Sequence, residues 1–254
     1  MDDLASTPPR ATRFAGYVID LDGTLTLAHG LTRGARELIA RVRDAYVVVS
    51  NDSSHTPSGL ADELADLGLP VPPTRIVLAG AATIDLIAEE MPGARVMLFA
   101  SPALSALAVA AGLELVDERP DVVVLARDES FTYAKLCRAA NAIRRGAGLV
   151  VTNLDLTHPG HGRDVVPETG ALLAALRACC GDVPYRVIGK PEPRLFIEAL
   201  RRLGTPSEST LVIGDNPATD GKGAKKLGMP FLLVRDGDAK AAAAALDAAR
   251  FDLG

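Results

Sequence analysis

Val18-Ile19-Asp20-Leu21-Asp22-Gly23-Thr24 is the stretch from which the fold is read. Two aliphatic residues run into two aspartates one residue apart, and Gly23 frees the backbone to turn sharply. An apolar run without alternation suits a parallel strand covered on both faces. Open α/β sheets place ligands at the carboxyl ends of such strands. Alternate strand residues share a side, so both carboxylates would leave the strand together. One then suits a nucleophile and the other an acid/base, and the pair needs a cation or a shared proton. A surface turn could also hold Asp-x-Asp, so the rest of the chain has to decide.

Three further apolar runs end in polar groups. Val47-Val48-Val49 leads into Ser50-Asn51-Asp52, whose hydroxyl, amide and backbone N–H groups suit a phosphoryl oxygen. The same cluster is also good turn and cap chemistry, with Ser53, Ser54 or Thr56 able to open a helix. Ile188-Gly189-Lys190 is followed by two prolines around Glu192, and its ammonium would neutralise a phosphate or a carboxylate. Leu211-Val212-Ile213-Gly214-Asp215 precedes Asp220 at a helix start, a position that caps, meets the helix dipole, or supports a cation. Each signal has a bland reading; four strand ends in this order do not share one.

Apolar runs at 17–20, 46–50, 95–99, 121–125, 149–152, 186–188, 210–213 and 231–234 read as strands. Helical spacing is found at 33–44, 57–67, 81–90, 133–145, 170–179, 193–203 and 219–227, with a final Ala-rich helix over 239–249. This alternation predicts an α/β fold. Pro70–Pro73 and the stretch from Gly181 to Pro184 punctuate a middle segment. The chain of 254 residues is long enough to bury a real core. A net charge of −5 argues against a nucleic-acid partner. Three cysteines, Cys137 and the adjacent Cys179 and Cys180, are not a disulfide framework and read as free thiols in a reducing cytoplasm. Residues 1–12 lack the basic start and apolar run of a signal peptide and read as a frayed tail, and no run reaches the roughly 20 apolar residues of a spanning helix. His29 and His55 have no metal-ligand spacing and read as surface residues.

Taken together, the four motifs resemble the haloacid dehalogenase superfamily of phosphohydrolases, from Phe14 to about Val234. Asp20-Leu21-Asp22-Gly23-Thr24 is similar to its first motif and Ser50-Asn51 to its second. Lys190 falls at the third, and Gly214-Asp215 with Asp220 at the fourth. Only a short loop follows Thr24, whereas about 138 residues separate Asn51 from Lys190. That placement is similar to the NagD-like subfamily IIA, with a cap domain between the second and third motifs. Val151-Thr152-Asn153-Leu154-Asp155, His161-Gly162-Arg163 and Pro167-Glu168-Thr169-Gly170 are similar to the same branch. The resemblance implies a Rossmann-like parallel-sheet core over 1–79 and 184–254, with an inserted α/β cap over 80–183.

It also implies a magnesium-dependent phosphatase for small phosphorylated metabolites. Asp20 would be the nucleophile that forms an aspartyl-phosphate, and Asp22 the acid/base. Ser50, Asn51 and Lys190 would hold the phosphate. Asp20, Asp215 and the Asp22 backbone carbonyl would hold Mg²⁺, supported from behind by Asp220, while Thr24 would orient the first loop. In the cap, Asn153, Asp155, His161 and Arg163 are the candidate substrate contacts, with His158 a weaker one. A homodimer through the cap is a further expectation. Two features depart from the branch: Asp52 stands where Asn is usual, adding negative charge if it faces the site, and Gly221 and Ala224 alter the packing of the fourth-motif helix. A dehalogenase, a phosphomutase or a catalytically silent binding protein on the same fold are the rival readings.

Overall fold

The structure is a computed structural model that describes residues 14–27, 30–159 and 164–248. His29, His161, Arg163 and residues 1–12 lie outside the described residues, and so do the expectations placed on them. In chain order the first part holds β1 (Gly16–Asp20), β2 (Thr26–Leu27), β3 (Gly30–Leu31), α1 (Ala35–Val42), β4 (Tyr46–Ser50), α2 (Pro57–Asp66), β5 (Ile76–Leu78) and α3 (Ala79–Glu90). The middle holds β6 (Arg95–Phe99), α4 (Pro102–Ala110), β7 (Glu114–Leu115), β8 (Val122–Leu125), α5 (Tyr133–Arg144), β9 (Gly148–Val151), β10 (Thr157–Pro159), β11 (Val165–Pro167), α6 (Thr169–Cys180) and β12 (Arg186–Val187). The chain closes with α7 (Arg194–Leu203), β13 (Thr210–Gly214), a π-turn over Pro217–Gly221, α8 (Lys222–Lys226), β14 (Phe231–Leu233) and α9 (Ala239–Ala248).

The eight expected strands are all present, displaced at their ends by at most one residue. Five strands form a parallel sheet in the order β14-β13-β1-β4-β5. Strand β1 lies between the first-formed half and the returning half, which is the switch point where such sheets bind ligands. The period of two divides the strand side chains between two cores. Tyr17, Ile19, Val48 and Ile213 pack under α1, α2 and α9, whereas Val18, Val47, Val49 and Val212 pack under α7 and α8. Helix starts follow their caps: the Thr56 hydroxyl accepts from Gly59 N at 3.1 Å ahead of Pro57, and Gly204 closes α7 with φ 66°.

A second parallel sheet runs β12-β9-β8-β6-β7, covered by α5 and α6 on one face and by α3 and α4 on the other. Helix α3 belongs to both interiors. Ala79, Ala82 and Leu86 pack on the first sheet, and Ile84 and Ile87 pack on the second. The expected break at 79/80 therefore falls at the start of a shared helix. Arg186 and Val187, which follow the expected return to the core at 184, pair with Val150 and Val151 of β9 and so extend the second sheet.

The helix expected over 219–227 is split. Asp220 N and Gly221 N both donate to the Asn216 carbonyl, at 2.9 and 3.3 Å, and this wider turn brings Asp220 inward before α8 begins. The small residues there are a packing requirement. A Cβ on Gly221 would lie 3.1 Å from the Phe231 ring, and one on Gly223 would overlap Phe196. Among the described residues no helix is long and apolar enough to cross a membrane.

Candidate active site

Asp20 ends β1 and is buried. Its Oδ1 accepts from Lys190 Nζ at 2.5 Å and its Oδ2 from the Thr24 hydroxyl at 3.1 Å. Lys190 is delivered from the loop after β12 and is also buried; its peptide to Pro191 is cis. Its ammonium donates as well to Asp220 Oδ1 at 2.7 Å and to the Val49 carbonyl at 3.2 Å. An ammonium has three protons, and here all three are spent on protein acceptors. Lys190 therefore serves the carboxylates directly; its expected grip on phosphate needs one of these bonds released.

Carboxylate oxygens of Asp20, Asp215 and Asp220 all lie within 4.8 Å of one another. Asp215 follows directly on β13. Burial raises Asp20 well above the ordinary carboxylate range; Lys190 opposes this, and the charges of Asp220 and Asp22 add to it. Burial first, then Asp220, raises Asp215 as well. For Lys190, burial works against the charge, but Asp20 and Asp220 overcome it and hold the ammonium firmly protonated. Three carboxylates against one ammonium leave surplus negative charge. An all-oxygen donor set of this kind fits a small hard divalent cation such as Mg²⁺.

Two glycines make this convergence possible. Gly23 has φ 81°, and a Cβ there would overlap the Asp215 carboxylate, 2.5 Å from its Cγ. A Cβ on Gly214 would lie 2.5 Å from the Asp220 carboxyl.

Asp22 faces a different group of residues. Its carboxylate accepts from Ser50 Oγ at 3.3 Å and Thr26 Oγ1 at 3.4 Å and keeps contact with solvent. The three carboxylates that meet do not include the Asp22 side chain. Burial and the charge of Asp52 raise the Asp22 carboxyl. That direction favours a proton donor.

Asp52 itself is engaged by the residues that follow it. Its Oδ1 accepts from Ser54 N at 2.7 Å and His55 N at 2.9 Å, and its Oδ2 meets His55 Nδ1 at 2.6 Å. Burial opposes its charge, but the His55 ring and these N–H groups outweigh it and hold Asp52 below the usual range. His55, expected as a plain surface residue, is held with a raised pKa by that contact.

The Asn51 amide donates to Asp155 Oδ2 at 2.9 Å and to the Lys190 carbonyl at 3.2 Å, and its Oδ1 accepts from Lys190 N at 2.7 Å. Its side chain thus grips the lysine loop. Asn153 is fully buried, donating to the Asn51 carbonyl at 2.8 Å and accepting from Asp155 N at 3.1 Å. Its side chain is committed to the loop after β4. Asp155 is half-buried at the same junction. His158 is engaged by Glu168 at 2.6 Å. Ser53, read from sequence only as a candidate helix cap, is buried and accepts from Arg127 N at 3.0 Å, tying the β4 loop to the cap. Its partner lies 74 positions away, so only a tertiary contact reveals it.

A doubly wound sheet with Asp20, Asp22, Ser50, Asp215 and Asp220 at its carboxyl edge, and Lys190 reaching in from the loop after β12, defines a phosphoryl-transfer type of hydrolase core. Residues 17–114 match the family model for haloacid dehalogenase-like hydrolases and residues 187–253 a second, HAD-hydrolase-like model. The chain belongs to the haloacid dehalogenase-like hydrolases, in their NagD-like subfamily IIA. It is 35% identical to the 5'-nucleotidase YutF of Bacillus subtilis over 230 residues, covering 89% of each chain. It is 32% identical to an acid sugar phosphatase of Staphylococcus aureus over 229 residues, covering 89% of this chain and 88% of that one. Among solved structures, a glycerol phosphate phosphatase from Mycobacterium tuberculosis in complex with magnesium superposes with a TM-score of 0.82 at 36% identity. That match covers 89% of this chain and 68% of the other.

Proposed function

We propose that this protein is a magnesium-dependent phosphatase that hydrolyses small phosphate monoesters through an aspartyl-phosphate on Asp20. The observation that carries the reading is the meeting of the Asp20, Asp215 and Asp220 oxygens, with the Lys190 ammonium bonded to Asp20 and Asp220. The phosphatase activities in the names of its relatives support it.

Asp20, Asp215 and the Asp22 backbone carbonyl would hold the ion, with Asp220 behind them. Bound there, magnesium offsets the repulsion between carboxylate and phosphoryl oxygens. Asp20 attacks phosphorus, and the bond to the ester oxygen breaks as the new P–O bond forms. Asp22 gives its proton to the departing alkoxide. Water then attacks the same phosphorus, Asp22 takes its proton, and the Asp20–phosphorus bond breaks to release phosphate. Lys190 keeps Asp20 aligned and balances the incoming charge. Ser50 and nearby backbone N–H groups hold phosphoryl oxygens, since the transfer depends mostly on positioning and charge.

The test is phosphate release from p-nitrophenyl phosphate and a panel of small phosphate esters, with and without Mg²⁺. Turnover should need the ion and should vanish in Asp20→Asn. Undiminished turnover in Asp20→Asn would overturn the reading.

A further inference from the structure

A buried amide must find partners for its donors and its acceptor, and Asn153 finds them on one particular loop. It lies just past β9 of the second sheet, fully buried. Its Nδ2 donates to the Asn51 carbonyl at 2.8 Å, and its Oδ1 accepts from Asp155 N at 3.1 Å. The Asp155 carboxylate in turn accepts from Asn51 Nδ2 at 2.9 Å. Asn51 is therefore held at its backbone and at its side chain, both times from the cap.

What Asn51 does with that fixed orientation is grip both ends of one residue, Lys190. It accepts from Lys190 N at 2.7 Å and donates to the Lys190 carbonyl at 3.2 Å. The approach is tight. A Cβ on Gly189 would lie 2.6 Å from Asn51 Oδ1 and from the Thr152 carbonyl, and 3.2 Å from Asn153 Cβ. Gly189 N also donates to that Thr152 carbonyl at 2.7 Å. Beyond this clamp, the Lys190 side chain ends on Asp20 Oδ1 at 2.5 Å.

We propose that Asn153, with Asp155, is a positioning residue for phosphoryl transfer: from the cap it fixes Asn51, Asn51 fixes the Lys190 backbone, and the ammonium is thereby aimed at Asp20. Neither residue touches the reacting atoms. The inference rests on the phosphatase reading and adds that the lysine of the core is set by the cap. Seating the cap and seating Lys190 are then one event, because the cap cannot withdraw without releasing Asn51.

The full chain is assayed on p-nitrophenyl phosphate with saturating Mg²⁺. Asn153→Ala should lower kcat roughly 10- to 100-fold, the scale of a small misplacement of a catalytic group, and leave KM within about threefold. Asp155→Ala, at a half-buried position, should do the same and carries the test should Asn153→Ala fail to fold. The decisive step is a double-mutant cycle. In a Lys190→Met background neither substitution should lower kcat further, because the group they position is gone. A role confined to structure predicts the same fold-loss in both backgrounds, and a substrate contact predicts a loss carried by KM; either result overturns the relay and leaves the phosphatase reading standing. A wild-type chain inert towards every ester overturns both.

Discussion

Replacing Gly23 with Ala should cost far more activity than stability. Gly23 adopts φ 81°, where a non-glycine residue costs about 1–2 kcal/mol. At about 2–4 °C per kcal/mol for a chain of this size, melting should fall by roughly 2–8 °C. The second cost is local. The new methyl would sit 2.5 Å from Asp215 Cγ and overlap the carboxylate, so Asp215 must swing out towards solvent. That movement relieves the crowding with Asp20 and Asp220 and adds little to the loss of stability. It removes, however, a proposed cation ligand from the reaction centre. Loss of one aimed electrostatic group typically costs about 10²–10³-fold in kcat. The assay is p-nitrophenyl phosphate turnover against Mg²⁺ concentration, with melting curves on the same samples. Half-activation should move to at least about tenfold higher Mg²⁺ if Asp215 binds the ion. In an Asp215→Ala background the methyl has nothing to displace, and Gly23→Ala should then lower activity only slightly. An unchanged Mg²⁺ dependence in Gly23→Ala, or full additivity with Asp215→Ala, would refute the reasoning.

Asp52→Asn keeps the oxygen that caps Ser54 and His55 but removes the charge that helps raise Asp22. A lower Asp22 pKa means the proton donor is lost earlier as pH rises, so the alkaline limb of kcat/KM should move to lower pH; a limb that stays in place contradicts the coupling. Lys190→Met leaves Asp20 and Asp220 buried without their cation, which is worth about 3–5 kcal/mol. With the metal chelated, its melting deficit should be large at pH 8 and should shrink towards pH 5 as the raised Asp20 takes up a proton; an equal deficit at both values would argue against charge as the cause.

The strand tips were legible because each joins an apolar run to a polar cluster, and neither signal needs a distant partner. Asp20, Ser50, Lys190 and Asp215 can be located this way; the convergence of Asp20, Ser50 and Asp215 follows from strand order in the first sheet, whereas Lys190 arrives from the end of β12 in the second. Ile76–Leu78 does not stand out as a strand because it passes directly into Ala79–Glu90, so the two read as one apolar segment. The helix Pro102–Ala110 carried a visible cap, Ser101 accepting from Leu104 N, but its Ala-rich body lacks a clear apolar stripe. The hairpin β10–β11 is too short, and too rich in proline, to alternate visibly. The partners of Asn51 and Asn153 are not legible for a different reason. An amide in a loop looks the same whether it faces a ligand or another loop, and the partners here lie 139 and 102 positions away.

Helix α3 has a consequence for anyone who would exchange the cap for another. Cutting the chain between Leu78 and Ala79 removes Leu86 from beneath the first sheet, and cutting after Glu90 leaves Ile84 and Ile87 bare to water. A transplanted specificity module would have to bring a helix with apolar residues on two sides, or the recipient would aggregate before it met a substrate. Variation among such proteins should therefore accumulate at the hairpin and rim loops, with this bridging helix kept as the common joint.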